Sequence, residues 1–212
     1  MTWQTDLYDG MVADIVELTK RPDLEAEAKI AMRAATTNTH LTDAYWRDCA
    51  TVQVQLPNSS NQLALDVSTL FPGCRGFQTI RPIDQNFNLI APGWLDGEGR
   101  ETIEIVEMGD IYDPQYGNLR NNIAYTSGSS LVIRSPITCW GYAISYLKAP
   151  QVRRDLYDSW IAQMAPDVII FWAAAILFNT NGNEEKAKSY LSQVEKLYIP
   201  QLKSNFLLSA MR

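Results

Sequence analysis

Residues 51–56 read TVQVQL, and their alternation decides the fold. Val52, Val54 and Leu56 fall on one side of an extended chain; Thr51, Gln53 and Gln55 fall on the other. That is the period of a half-buried strand. Upstream the period is different. In residues 5–20, TDLYDGMVADIVELTK, the apolar Leu7, Met11, Ile15 and Leu18 recur at helical spacing. Arg21, Pro22 and Asp23 break that run, and Asp23 is placed to cap a second helix, its carboxylate accepting orphan N–H groups. That helix carries Leu24, Ala28, Ala31 and Ala35, small enough for close packing, and ends near Thr37.

Downstream of residues 51–56 the strand period continues. PNSSN (57–61) is a turn, and QLALDV (62–67) and FQTI (77–80) are further strands. APGWLDGEGR (91–100) and DPQYGNLRNN (113–122) are long loops. Between them ETIEIV (101–106) alternates again, with Ile103 and Ile105 opposite Thr102 and Glu104. Residues 127–150, SGSSLVIRSPITCWGYAISYLKAP, read as an alternating hairpin, with Gly128 in the turn ahead of it and Pro136 in the connection. Its last strand has a large face (Trp140, Tyr142, Ile144, Tyr146) and a small one (Gly141, Ala143, Ser145). The small face either packs within the chain or accepts a neighbouring subunit.

Beyond Pro150 the helical period returns. Pro166 suits a first turn. The run VIIFWAAAILF (168–178) is apolar all round, which marks a buried helix; it is shorter than the ~20 residues a membrane span needs. NTNGN (179–183) ends it. Ala187, Tyr190, Leu191, Val194 and Leu197 stripe the next helix, and Pro200 is expected to interrupt it. The expected fold class is α+β: a helical bundle of residues 1–43 and 151–212, with an antiparallel β module of residues 44–150 inserted, all in one composite domain. Strands and helices do not alternate, so a doubly wound sheet is excluded.

Composition narrows the function. The net charge of −6 argues against non-specific binding to nucleic acid, which needs clustered Lys and Arg. Cys49, Cys74 and Cys139 are far apart and odd in number, without a CxxC pair, and His40 is the single histidine. A disulfide framework and a zinc site are therefore not expected, and a reducing compartment is. MTWQTDLYDG at the start lacks the basic and apolar regions of a signal peptide. Asn58 matches a glycosylation acceptor by chance, and Arg153 with Arg154 is a small basic spot at a helix start or interface.

Candidates for catalysis are few. His40 sits at the ragged end of a polar helix, the place of a surface or capping histidine rather than a general base. Glu101, Glu104, Glu107 and Asp110 recur every third residue. On a strand Glu104 would point away from Glu101 and Glu107, and those two would lie roughly 20 Å apart, too far to share a metal. They read as a solvated polar face. No catalytic residue, metal or cofactor is assigned, and the chain is not expected to be an enzyme. An enzyme built on Glu104, or a small binding module with an apolar pocket near Trp140 and Trp172, are the rival readings.

The layout resembles the head-to-tail adaptor proteins of tailed bacteriophages. The likeness lies in residues 6–35 (DLYDGMVADIVELTKRPDLEAEAKIAMRAA), 118–136 (NLRNNIAYTSGSSLVIRSP), 142–150 (YAISYLKAP) and 166–198 (PDVIIFWAAAILFNTNGNEEKAKSYLSQVEKLY). The loops around Trp94 and Tyr116 exceed a minimal adaptor. The resemblance implies a structural virion protein, made in the host bacterial cytoplasm and placed in the neck between head and tail. It would form a ring, usually of twelve copies, that binds the portal protein, extends the DNA channel and presents a platform to the tail nozzle, tube or fibres. Genomic DNA would pass without specific binding, and no membrane is involved. Carried onto this chain, Phe206, Leu207, Leu208 and Met211 become the portal anchor. Gly141, Ala143, Ser145 and Trp94 become the subunit or tail interface, and Glu101, Glu104, Glu107 and Asp110 an acidic channel lining. Another neck or tail-completion ring protein is the nearest alternative.

Overall fold

The helical spacing of the first residues becomes α1 (Trp3–Thr19), which buries Tyr8, Met11, Val12 and Ile15. The computed structural model describes residues 3–56, 62–90, 102–112, 118–136 and 139–206. Asp23 is not a cap. Pro22–Leu24 form a single 3-10 turn, and α2 (Glu25–Leu41) follows without a side-chain cap. The fixed φ of Pro22 starts the turn early, and Asp23 pairs instead with Arg21 at 2.8 Å. α2 also runs beyond Thr37. The hydroxyls of Thr36, Thr37 and Thr39 bond back to the carbonyls of Met32, Arg33 and Ala35 (2.8, 3.1 and 2.7 Å). They are satisfied inside the helix and do not divert its backbone.

The strands follow. β1 (Cys49–Gln55), β2 (Gln62–Asp66), the one-turn α3 (Val67–Leu70), β3 (Cys74–Ile83), β4 (Glu104–Ile105), β5 (Ile123–Ser127), β6 (Ser130–Arg134) and β7 (Gly141–Lys148) make two sheets, ordered β1-β7-β3 and β2-β6-β5-β4. All pairings are antiparallel except β4 with β5. Both sheets share one core, with Leu63, Phe71, Ile80, Leu131, Ile133 and Ile144 among its buried members. β5 and β6 form a hairpin closed by Gly128, whose φ of 59° suits a glycine.

β6 and β7 are not a hairpin. β6 already lies between β2 and β5, and β7 lies between β1 and β3, so neither has an edge for the other. The connection that holds Pro136 carries the chain from one sheet to the other. The expected strand over residues 101–106 shrinks to Glu104–Ile105, with Ile103 held to β3 by one bridge at Ile80.

The second helical stretch contains α4 (Trp160–Met164), α5 (Pro166–Thr180), α6 (Glu184–Gln193) and α7 (Ile199–Phe206). Pro166 occupies the first turn of α5, where it has no N–H to lose. Asn183 caps α6, accepting from the Lys186 amide at 3.3 Å. Pro200 does not break the helix. A π-helical turn, Val194–Tyr198, lies just ahead of it, and the Ile199 amide reaches back to the Val194 carbonyl. A proline crowds the carbonyl four residues earlier, and a wider turn there relieves the clash.

The chain is therefore α+β, with helices at both ends and a largely antiparallel β region between them. It divides into two compact units, residues 1–48 with 149–212, and residues 49–148. Residues 44–48 go with the helices, where Tyr45 is fully buried. The helical core gathers Tyr8, Ile15, Met32, Tyr157, Ile161 and Ile169. Among the described residues no helix is long and apolar enough to cross a membrane.

Candidate functional site

The least expected feature is a buried polar chain in the helical unit. The last turn of α2 supplies His40, a 3-10 turn (Trp46–Asp48) supplies Asp48, and the residue before α4 supplies Ser159. His40 Nδ1 lies 2.9 and 3.1 Å from the two carboxylate oxygens of Asp48, and Nε2 lies 2.9 Å from Ser159 Oγ. The Trp160 indole N–H donates to the same carboxylate at 2.7 Å. His40 and Ser159 are each 1% exposed and Asp48 is 5% exposed.

The order serine, histidine, aspartate is that of a hydrolase triad. Here the same contacts also tie separate segments together in a buried site. A carboxylate only accepts, so Nδ1 carries the proton that meets Asp48. Ser159 Oγ accepts the Ala162 amide at 3.2 Å as the cap of α4 while it contacts Nε2. The chain ties together three segments, with His40 and Ser159 119 positions apart. Trp160 also meets His40 and Tyr45 edge-on, with ring centroids 5.7 and 5.5 Å apart. His40 is thus not a surface residue. The extra turn of α2 carries it one turn past the buried Thr36, on the same face.

The proposed interface residues have varied surroundings. Gly141 is buried, and a Cβ there would collide with the Val54 carbonyl oxygen and come within 3.1 Å of Gln55 Cα. Its missing side chain serves the close approach of β1 in the same chain, not a neighbour. Ala143 lies between Gln53 and Arg81, and Ser145 Oγ bonds Thr51 Oγ1 at 2.9 Å. Trp94 and Glu101 lie outside the described residues. Glu104 forms an ion pair with Arg120 at 2.6 Å, and a second Arg120 nitrogen donates to the Asp110 carbonyl at 3.1 Å. Glu107 and Asp110 are exposed.

Phe206 is not a free anchor. Its ring is 4.8 Å from Trp160 and 6.4 Å from Trp46. The Arg47 guanidinium sits over all three rings, 5.0 Å from Trp46, 5.5 Å from Phe206 and 5.9 Å from Trp160. This is a cation–π cluster that holds the end of α7 in its own unit. Leu207, Leu208 and Met211 lie outside the described residues.

Among the described residues no group of three or more His, Cys, Asp or Glu could hold a metal. Cys49, Cys74 and Cys139 are half-buried, and burial pushes each thiol up, away from the reactive thiolate. Trp140 meets Phe87 edge-on at 4.7 Å in the β unit. Trp172 belongs to the helical unit, where it lines a groove of about 310 Å³ between α5 and α6 with Ile176, Ala187 and Leu191. A second groove, of about 540 Å³, has a floor of Val12, Ala13 and Val16, and the Asp9–Arg154 ion pair lies on its lining.

No family model and no curated protein matches the chain.

Proposed function

We propose that the chain is a structural component of a tailed-phage neck, a head-to-tail adaptor that forms a ring on the portal and extends the DNA channel toward the tail. The observation that carries this reading is the division into two units, each with its own core and its own exposed large apolar side chains. On the helical unit Ile30, Leu41, Met164 and Leu197 are exposed; on the β unit Phe87, Leu89, Met108 and Tyr112 are. A ring contact is heterologous, so each subunit needs two different complementary surfaces. The resemblance in residues 6–35, 118–136, 142–150 and 166–198 supports the same reading.

Two roles are refined. Phe206 is engaged within its own unit, so the portal contact falls to Leu207, Leu208 and Met211. Glu104 is matched by Arg120, so the acidic lining falls to Glu101, Glu107 and Asp110. A wall carrying net negative charge repels the DNA backbone and lets it slide. The deciding experiment is quantitative mass spectrometry of purified virions, with this chain measured against the portal subunit. The expected result is near-equal copy number. Its absence from virions would overturn the proposal.

A further inference from the structure

Among the described residues, the sheet β1-β7-β3 ends at β1, with no further strand paired to it. The Leu56 amide donates to the Trp140 carbonyl at 2.9 Å, one step beyond the pair Gln55 and Gly141. Main-chain groups alternate along an antiparallel ladder, so those of Ala50, Val52 and Val54 also face β7. Those of Thr51, Gln53 and Gln55 face away from it, and among the described residues no backbone hydrogen bond reaches them. The other long edge is closed. β3 is bonded by the Ile103 amide at the Ile80 carbonyl (2.8 Å) and by the Ile90 amide at the Pro82 carbonyl (3.1 Å).

β1 itself also lacks the sequence devices that protect an edge: lysines or other charges, proline and a bulge. Residues 49–56, CATVQVQL, contain no Lys, no other charge, no proline and no glycine. β1 pairs with β7 in unbroken register, so no bulge twists it away. Val52 and Val54, on the side that packs on the core, remain half-exposed. A seven-residue neutral edge of this kind is a template for another strand.

We propose that the occupant is β1 of a second copy of this chain, paired antiparallel about a two-fold axis at Gln53. In that register Gln53 faces its own counterpart and Thr51 faces the partner's Gln55. These are the residues whose main-chain groups point outward, and they would exchange about six hydrogen bonds. Val52 lies across from the partner's Val54, so each copy covers the other's half-exposed valines. Only Gln53 meets its identical counterpart at the axis, so a charge there would meet its like; the neutral Gln53 meets no such repulsion. β2, the open edge of the second sheet, is shorter and carries Asp66. An isologous contact closes at two copies. This dimer is therefore an assembly state distinct from the neck ring, and it does not depend on that reading. It covers the exposed edge while the chain is away from any template.

The test is sedimentation velocity on the full chain from about 1 to 100 μM. Wild type is expected to dimerise. Gln53→Pro removes an outward N–H at an edge position that tolerates proline, and it should leave a monomer with unchanged far-UV circular dichroism and melting. Should Gln53→Pro misfold, Gln53→Lys keeps the backbone and sets two like charges at the axis, and the dimer should weaken at least tenfold. Ala64→Lys, which puts the same charge on exposed β2, should change nothing. A wild-type monomer throughout the range would overturn the proposal, and so would a dimer indifferent to Gln53→Lys. A larger ring unaffected by these substitutions would overturn it too, while leaving the neck reading intact.

Discussion

Replacing His40 by alanine tests whether the buried polar chain is a staple. Asp48 is 5% exposed, and its contacts include His40 (2.9 and 3.1 Å) and the Trp160 indole (2.7 Å). The substitution strips the histidine from one side of that carboxylate and leaves a void where the imidazole lay. Removing one partner of a buried pair costs roughly 3–5 kcal/mol. Typical domains have only about 5–15 kcal/mol in total. His40→Ala should therefore unfold at much lower urea, read by far-UV circular dichroism and by the fluorescence of the tryptophans, Trp160 included. Ser159→Ala should cost less, about 1–2 kcal/mol, because it removes a helix cap and one neutral hydrogen bond. In a double-mutant cycle the two losses should fall short of additivity, since Ser159 acts partly through His40. A His40→Ala protein within 1 kcal/mol of wild type would refute this reasoning. Ester hydrolysis by wild type, lost in Ser159→Ala, would show instead that the chain opens to substrate.

Two further outcomes are expected. Gly141→Ala forces a Cβ against the Val54 carbonyl, a backbone atom that cannot swing aside, so overpacking should cost about 1–3 kcal/mol. If chemical denaturation finds the variant as stable as wild type, the intrachain role of Gly141 is wrong. The second concerns Tyr157, which burial pushes up to about 12, against the Thr36 hydroxyl that favours its ionised form. A raised pKa contributes stability that is complete below the unfolded value near 10 and is lost as pH rises toward 12. The loss amounts to about 3 kcal/mol for two pH units. Tyr157→Phe should flatten that alkaline slope, and an unchanged slope would assign it to other groups.

What the sequence disclosed followed from what is local. The alternation at residues 51–56 and the spacing of Leu7, Met11 and Ile15 report which side of one element is buried, and both recur as β1 and α1. Partnership between elements left no such trace. Residues 127–150 look like a hairpin because two strands are close in sequence, yet each was already flanked on both edges. Asp23 and Pro200 misled for a related reason. A residue's preference acts against its immediate neighbours, and here an upstream proline and a widened turn absorbed it. His40 was the largest miss. Its partners come from residues 48 and 159, and no period of 2 or 3.6 connects them. The available signal was compositional: a lone histidine in a chain is as easily a core hydrogen-bond hub as a surface group.

The position of that hub bears on how a β region comes to be inserted in the sequence of a helical unit. An insertion is tolerated when its two ends lie close together, since the host then folds around a short gap. Here the helical unit ends at Asp48 and resumes at Ala149. The first residue of the β unit, Cys49, is paired with Leu147, so exit and return run side by side as neighbouring strands of one sheet. The exit is fixed from the helical side as well. Asp48 is held by His40 from α2 and by Trp160 from α4, and the Asp48 amide bonds the Tyr45 carbonyl at 3.0 Å. Hydrogen bonds are directional, so a polar hub fixes the path of the chain at this point more tightly than apolar packing of equal area would.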